Sequence, residues 1–264
     1  MARNRRSELC DNNMKKVLVI GDTCRDIYLY GKCDRLSPEA PVPVLKPMTS
    51  RSTRGMAANV YANLQALGID ADLITNTELP IKTRYVDEVS NQMLLRVDEN
   101  DLIEPIEYLK DIDFKEYSAV VISDYNKGFL SKDDIEYISK NHKNTFLDSK
   151  KTFGDWCSKI KFIKINEKEY LNNSSFLDKH YHGHLIVTRG KRGATLDSTD
   201  GFLITEEHPV RDLSGAGDTF FAALVAYHVK NNDICEAIKF ANKCASWVVT
   251  QKGVVVVDVK KINL

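Results

Sequence analysis

Short apolar, β-branched runs recur along the chain and end in polar residues, a pattern typical of strands buried in a parallel sheet. Five of these runs carry a polar residue at the predicted strand exit, namely Asp22, Asp124, Asp148, Asn166 and Thr188. Each one alone fits an ordinary turn or cap residue. Since open α/β sheets bind ligands beyond the carboxyl ends of their strands, five such residues predict a site along that edge.

Helical patterns alternate with these strands. In GMAANVYANLQALGI, the apolar residues Ala58, Ala62, Leu64 and Leu67 share one helical face, and Gly68 follows as a C-terminal cap. DDIEYISKNH predicts another helix, and two more are predicted from residue 215 onward. Strands alternating with helices predict an α/β fold, with a mostly parallel sheet covered by helices on both faces.

Two stretches break this alternation. IYLYGKCDRLSPEAPVPVLKP at 27–47 contains four prolines, which exclude a long helix and predict a loop leading into an edge strand. KTRYVDEVSNQMLLRVDEN at 82–100 alternates in the manner of a strand on either side of a turn near 90–91, so it predicts a β-hairpin. We expect this hairpin to project from the main sheet as a lid.

Composition limits the classes of partner. Among 264 residues, 37 Lys and Arg balance 37 Asp and Glu, so nothing in the net charge attracts nucleic acid or an anionic membrane. The apolar runs fall short of the ~20 residues of a membrane span. The six cysteines lack C-x-x-C spacing, which favours reduced thiols in a cytoplasmic protein. Residues 1–14 are interpreted as a frayed polar leader without a signal peptide, and 15–264 as a single domain.

The sequence DLSGAGDTF carries the strongest chemical signal. Gly215 and Gly217 flank Ala216 where an apolar helix begins, and Asp218 follows at once. Glycines allow close backbone approach, while free N–H groups and the helix dipole hold anionic oxygens. An anion hole beside a carboxylate base is what phosphoryl transfer to a hydroxyl requires. A simple Asp cap beside a tight turn remains the alternative.

The chain resembles the ribokinase-like, or PfkB, family of carbohydrate kinases. DLSGAGDTF is similar to the C-terminal signature of that family. Four further motifs precede it in the order found in the family, namely GD at 21–22, GMAANV at 55–60, NEKE at 166–169 and VTRGKRG at 187–193. The resemblance runs from about residue 16 to 259. It implies a three-layer sandwich with a small β lid, whose strands lie within about 23–54 and 81–99.

The resemblance also implies roles. Asp218 would be the base, with the amides of Gly215, Ala216 and Gly217 as the anion hole. ATP and Mg²⁺ are the implied cofactors, and a monovalent cation is a further candidate. Asn166 and Glu169 would bind the metal. The nucleotide would be bound by Thr188, Gly190, Gly193, Asn242 and Gly253. The sugar hydroxyls would be bound by Asp22, Gly55 and Asn59.

Within the family, RLSPEAPVPVL at 35–45, SDYNKG at 123–128 and SNQMLLRVD at 90–98 resemble the kinase domain of heptose-7-phosphate kinases of lipopolysaccharide-core precursor synthesis. That branch implies a homodimer formed through the lid, and a second, nucleotidyltransferase activity that we expect this chain to lack. The residues expected to contact the phosphorylated sugar are Asp124, Lys127, Lys150, Arg84 and Arg96. The alternatives are solvated surface charges, or a loop salt bridge between Asp124 and Lys127.

Three departures from the family pattern bear on specificity. Met56 stands where a second glycine is usual, Ser149 where proline is usual, and Val254 where threonine is usual. The first leaves open another sugar or sugar phosphate as the acceptor. A non-catalytic sensor on the same fold is a third reading, against which stand Asp218, both glycines, Asn166 and Glu169.

Overall fold

A computed structural model describes residues 15–197 and 209–262. The predicted leader at 1–14 lies outside them. Within the described ranges, the strands have these bounds: β1 Val17–Gly21, β2 Thr23–Lys32, β3 Lys46–Met56, β4 Ala71–Thr75, β5 Ile81–Asp87, β6 Met93–Glu99, β7 Ala119–Asp124, β8 Thr145–Ser149, β9 Phe162–Asn166, β10 His184–Thr188 and β11 Ala194–Leu196.

The larger sheet has the order β11-β10-β9-β8-β7-β1-β4, and its pairs run parallel except for β10 with β11. The five polar residues expected at strand exits all lie within one residue of the carboxyl end of a parallel strand, and therefore share one edge: Asp22, Asp124, Asp148, Asn166 and Thr188.

The smaller sheet forms the lid and has the order β3-β2-β5-β6. Strands β5 and β6 are the predicted hairpin, and β3 is an edge strand as expected. The loop expected from residue 27 was partly wrong, because 27–32 continue β2, which pairs with both β3 and β5. Alternating burial explains this strand, since Tyr28 and Tyr30 are buried while Ile27 and Leu29 are more exposed.

The helices are α1 Ala57–Ala66, α2 Lys132–Asn141, α3 Glu167–His180, α4 Ala216–Asn231 and α5 Ile234–Val248. Of these, α3 was not predicted, because its Asn-Asn-Ser-Ser centre is poor in helix formers and hides the apolar period. Across the described ranges, every helix is too short or too polar to cross a lipid bilayer.

Side chains of the central strands alternate between two fully buried layers. Val17 and Val19 of β1 face the core shared with α1, α4 and α5. Leu18 and Ile20 face the opposite core, shared with α2 and α3. The predicted fold class, a mostly parallel sheet between two helical layers with a small lid, is therefore confirmed.

Candidate active site

Helix α4 begins in a turn that only glycine fits well. Gly215 adopts a left-handed conformation with φ of 78°, and a Cβ there would lie 2.9 Å from Asn59 Nδ2 and 3.2 Å from Val254 Cγ1. A Cβ at Gly217 would lie 3.3 Å from Lys164 Nζ. The Ala216 amide donates a 3.3 Å hydrogen bond to the Leu213 carbonyl. Both glycines therefore keep the helix start open to close approach.

Asp218 lies in the first turn of α4 with its carboxylate buried. Its Oδ2 accepts a 3.1 Å hydrogen bond from Asn59 Nδ2, and its Oδ1 accepts a 2.7 Å hydrogen bond from the Tyr125 hydroxyl. Burial raises the pKa of Asp218, while the bonds from Tyr125 and Asn59 oppose that rise. Burial and the neighbouring Asp218 also raise the pKa of Tyr125 well above its usual range, so the phenol remains a donor at neutral pH.

Tyr125 was missed by the sequence reasoning although it stands inside SDYNKG, beside two residues that were proposed. Asn59, expected to face the sugar, contacts the proposed base instead. Its Oδ1 in turn accepts a 3.0 Å hydrogen bond from Asn63 Nδ2, so α1 fixes the amide that holds Asp218.

Asp22 is fully buried at the exit of β1. Its Oδ2 accepts hydrogen bonds from the amides of Tyr125, at 2.6 Å, and Lys127, at 3.1 Å. Its Oδ1 is buried and has no hydrogen-bond partner among the residues that the structure describes. Burial, reinforced by the charge of Asp124, raises the pKa of Asp22. An acceptor held in this way suits the hydroxyl of a ligand.

A cluster of lysines and carboxylates lies beside the start of α4. Asp148 Oδ2 accepts from Lys164 Nζ at 2.6 Å, and Lys150 Nζ lies 3.4 Å from Asp148 Oδ1 and 2.5 Å from Glu169 Oε1. Burial raises the pKa of Asp148, but the two lysines outweigh it and the pKa is lowered. Burial likewise lowers the pKa of Lys150, but Asp148 and Glu169 outweigh it and the pKa is raised.

The residues expected to bind the sugar phosphate already have protein partners. Asp124 is buried, with Oδ1 bonded to Lys151 Nζ at 2.6 Å and Oδ2 bonded to the Ser149 hydroxyl. Lys127 pairs with Asp101. The alternative salt bridge between Asp124 and Lys127 is therefore not the arrangement found.

The two lid arginines are also paired. Arg84 binds Asp26 at 2.5 Å and lies over the Tyr28 ring, while Arg96 binds Asp98 through Nε at 2.7 Å and Nη2 at 2.5 Å. They stand directly opposite each other on β5 and β6. Like charges in such a pair are unfavourable unless acids or a bound anion compensate them.

Gly55 and Met56 end β3 and lead into α1. A Cβ at Gly55 would lie 2.1 Å from Asp26 Oδ2, so the position excludes any side chain. Met56 is a buried N-cap with φ of 60° and ψ of −132°, a backbone region that suits glycine rather than methionine.

A cavity of about 400 Å³ lies between β10, α4 and α5. Ala216 and Gly217 line this cavity. It is also lined by four of the five residues that were expected to bind the nucleotide, namely Thr188, Gly190, Gly193 and Asn242. Leu213, Phe220 and Val249 add apolar walls suited to a flat base. Gly253, the fifth, is not among the residues that line the cavity. Its amide donates a hydrogen bond to Asp212 Oδ2, and a Cβ at this position would contact the Tyr28 ring.

The expected metal residues form the first turn of α3. Asn166 Oδ1 accepts from the Glu169 amide at 2.9 Å, and Glu169 Oε2 accepts from the Asn166 amide at 2.9 Å, which is a capping box. In the described ranges, no three His, Cys, Asp or Glu side chains converge as metal ligands. Glu169 and Asp148 each provide one carboxylate, and both of these pair with Lys150.

Comparison with known proteins agrees with this geometry. The model of the family described as "pfkB family carbohydrate kinase" matches residues 96–260. "Bifunctional protein HldE" of Nitratiruptor sp. is 31% identical to this chain, over 94% of the chain and 64% of the relative. The protein of the same name from Helicobacter pylori strain J99 is 33% identical, over 95% of the chain and 66% of the relative. The chain thus spans about two thirds of the length of these curated relatives.

Solved structures show the same fold. The ribokinase of Arabidopsis thaliana, solved with ribose and ATP, superimposes with a TM-score of 0.70 at 16% identity, over 94% of this chain and 98% of that one. The ribokinase of Thermotoga maritima gives 0.69 at 15% identity, over 93% and 97%.

Proposed function

The chain belongs to the PfkB family of carbohydrate kinases and is an ATP-dependent sugar kinase, and from that premise we propose that it phosphorylates a sugar that already carries a phosphate. The proposed acceptor is heptose 7-phosphate, and the product is heptose 1,7-bisphosphate. The acceptor is supported by the similarity to HldE proteins over nearly the whole chain and by the motifs shared with heptose-7-phosphate kinases.

The observation that carries the proposal is the buried Asp218 at the start of α4, beside the cavity lined by Ala216 and Gly217. The acceptor oxygen bonds to the γ-phosphorus of ATP as the bond to the β–γ bridging oxygen breaks. The hydroxyl proton passes to Asp218, and ADP leaves. The N–H groups at the start of the helix offset the charge on the transferring group.

Asp22 and Asn59 support the binding of the sugar in two ways. The partnerless Oδ1 of Asp22 is available to accept from a sugar hydroxyl. Asn59 keeps the Asp218 carboxylate in place, and Gly55 leaves room beside Asp26. These residues orient the acceptor and the base.

Magnesium fits this site as a largely hydrated ion. Mg²⁺ usually keeps several waters and takes one or two carboxylates in addition to substrate phosphates, so a single carboxylate such as that of Glu169 suits it better than a closed cage of ligands. Glu169, oriented by its capping box with Asn166, would hold the ion. When bound, it would neutralise phosphate charge.

A second candidate, another sugar or sugar phosphate as the acceptor, is favoured by one observation. The side chain of Met56 fills the position where the family usually has glycine, directly after Gly55 at the start of α1. Extra volume next to the sugar-facing residues changes which ring substituents fit.

We further propose a homodimer in the cytoplasm. All five cysteines in the described ranges are free thiols, which suits a reducing compartment.

The decisive experiment is a coupled ADP-release assay with ATP and Mg²⁺ on heptose 7-phosphate, hexose 6-phosphates, pentose 5-phosphates and the free sugars. We expect the highest kcat/KM with heptose 7-phosphate, and a product whose new phosphate is on the anomeric oxygen by ³¹P NMR. Preference for a free sugar would overturn the proposal.

The Asp218→Asn variant tests the base in the same assay. We expect kcat to fall by ~10²–10⁴, the usual range for loss of a general base, with ATP binding retained. Asp72→Asn is the control, because Asp72 also accepts a tyrosine hydroxyl but lies outside the site. An Asp218→Asn enzyme within a few-fold of wild type would contradict the assignment.

A further inference from the structure

One lysine in the lid lacks a counter-ion. Lys82 of β5 is only 9% exposed. Among residues 15–197 and 209–262, its ammonium makes no hydrogen bond or ion pair, and it lies over the Tyr125 ring, whose centroid is 5.6 Å from Nζ. A largely buried lysine whose ammonium has no anion beside it is stabilised by binding one.

The neighbouring acids do not neutralise Lys82, because arginines already bind them. Lys82 stands opposite Asp26 on β2 and opposite Asp98 on β6. Asp26 is bonded to Arg84, and both oxygens of Asp98 are bonded to Arg96. Among these five neighbouring side chains there are three cations and two carboxylates, and the two arginines take both carboxylates, so Lys82 carries the charge that is left.

Lys82 also lies near the proposed base. The Tyr125 ring that it covers donates its hydroxyl to Asp218, and Lys150 approaches the same ring at 5.2 Å. Lys150 is neutralised by Asp148 and Glu169, and Lys127 by Asp101. Lys127 and Lys150, which were expected to contact the sugar phosphate, are thus neutralised, whereas the charge of Lys82 is left for a ligand.

Given the proposed function, we infer that Lys82 binds the phosphate group already present on the acceptor sugar and so selects phosphorylated over free sugars. A phosphate dianion supplies the charge and the acceptor oxygens that the ammonium lacks. The acceptor phosphate fits better than a nucleotide phosphate, because the nucleotide cavity is lined from β10, α4 and α5, whereas Lys82 belongs to the lid.

The test removes the positive charge of Lys82 while it keeps most of the volume of the side chain. Lys82→Met is compared with Lys82→Arg, which keeps the charge, and with Lys46→Met, which removes an exposed lid lysine paired with Asp34. We expect Lys82→Met to raise KM for heptose 7-phosphate at least tenfold, with KM for ATP and for free heptose within twofold of wild type. Lys82→Arg should restore much of the loss, and Lys46→Met should match wild type.

Calorimetric titration separates this inference from the proposed function, because binding of heptose 7-phosphate and hexose 6-phosphates is measured without ATP. We expect Lys82→Met to lose at least tenfold in affinity while its melting temperature stays near that of wild type. If heptose 7-phosphate is turned over but Lys82→Met leaves its KM and affinity unchanged, only the role of Lys82 falls. Equal losses for free and phosphorylated sugars, a raised KM for ATP instead, or a wild-type protein that binds none of these sugar phosphates would also overturn it.

Discussion

Two features of its surroundings act in opposite directions on the pKa of the Asp218 carboxylate. Burial raises its pKa, which would leave it protonated and inactive at low pH, while hydrogen bonds from Tyr125 and Asn59 stabilise the anion. The phenol of Tyr125 is therefore a positioning group that orients the base and opposes the rise in its pKa.

Tyr125→Phe tests this balance. A base must be deprotonated, so activity rises with pH through the pKa of Asp218. Because the lost bond favoured the anion, its removal raises that pKa, and the acid limb of the kcat/KM profile should move to higher pH. The measurement is kcat/KM between pH 5 and 9. Tyr117→Phe is the control, since its hydroxyl binds Asp72 away from the site. An unmoved acid limb would refute the role of Tyr125.

At this scale, sequence patterns predicted the residues whose chemistry depends on one chain segment. The turn Gly215–Asp218 is such a case, since two glycines and an acid at a helix start indicate an anion site by themselves. The roles of Tyr125 and Lys82 depend on neighbours distant in sequence: Asp218 is 93 residues from Tyr125, and Lys82 is left unpaired only because two arginines bind its neighbouring acids.

At the scale of elements, the strands and helices that could be predicted were those with a regular pattern of apolar residues and a clear polar or glycine residue at the end. Buried strands with polar exits and the apolar α4 were predicted because burial on both faces leaves continuous apolar runs. Helix α3 was missed, although its capping box, Asn166 and Glu169, is itself a signal of a helix start. The prolines of 38–47 concealed the strand character of the end of β2, whose partners β3 and β5 supply its hydrogen bonds.

The junction of β3 and α1 provides a prediction about backbone strain. Met56 has φ of 60° and is 3% exposed, so it combines a conformation suited to glycine with a buried side chain. Met56→Ala and Met56→Gly both remove the side chain, and both should be less stable than wild type. Only glycine relieves the backbone, so Met56→Gly should exceed Met56→Ala by about 1 kcal/mol in free energy of unfolding. Urea denaturation measures the difference, and the reverse order would exclude strain at this position.

For the molecule as a whole, a small apolar contact joins the lid to the body. Tyr28, Tyr30 and Val86 of the lid pack with Val254 from the C-terminal segment. Val254, where the family usually has threonine, thus replaces a hydroxyl with a methyl group inside this contact. Strand β6 forms the edge of the lid sheet that lies opposite β3, and it has no further strand beside it among the described residues.

That free edge predicts how two chains associate. Met93, Leu95 and Val97 alternate along β6 and are 52%, 56% and 36% exposed, so they form an apolar stripe on an unpaired strand. Such an edge favours pairing with a second lid, because pairing satisfies free backbone groups and buries the stripe. We expect wild type to be a dimer by light scattering at micromolar concentration. Leu95→Glu should shift it to a monomer with its fold retained, while Leu102→Glu, at a residue 85% exposed outside the lid strands, should remain dimeric. A monomeric wild type, or a Leu95→Glu protein that stays dimeric, would show that the lid edge is not the interface.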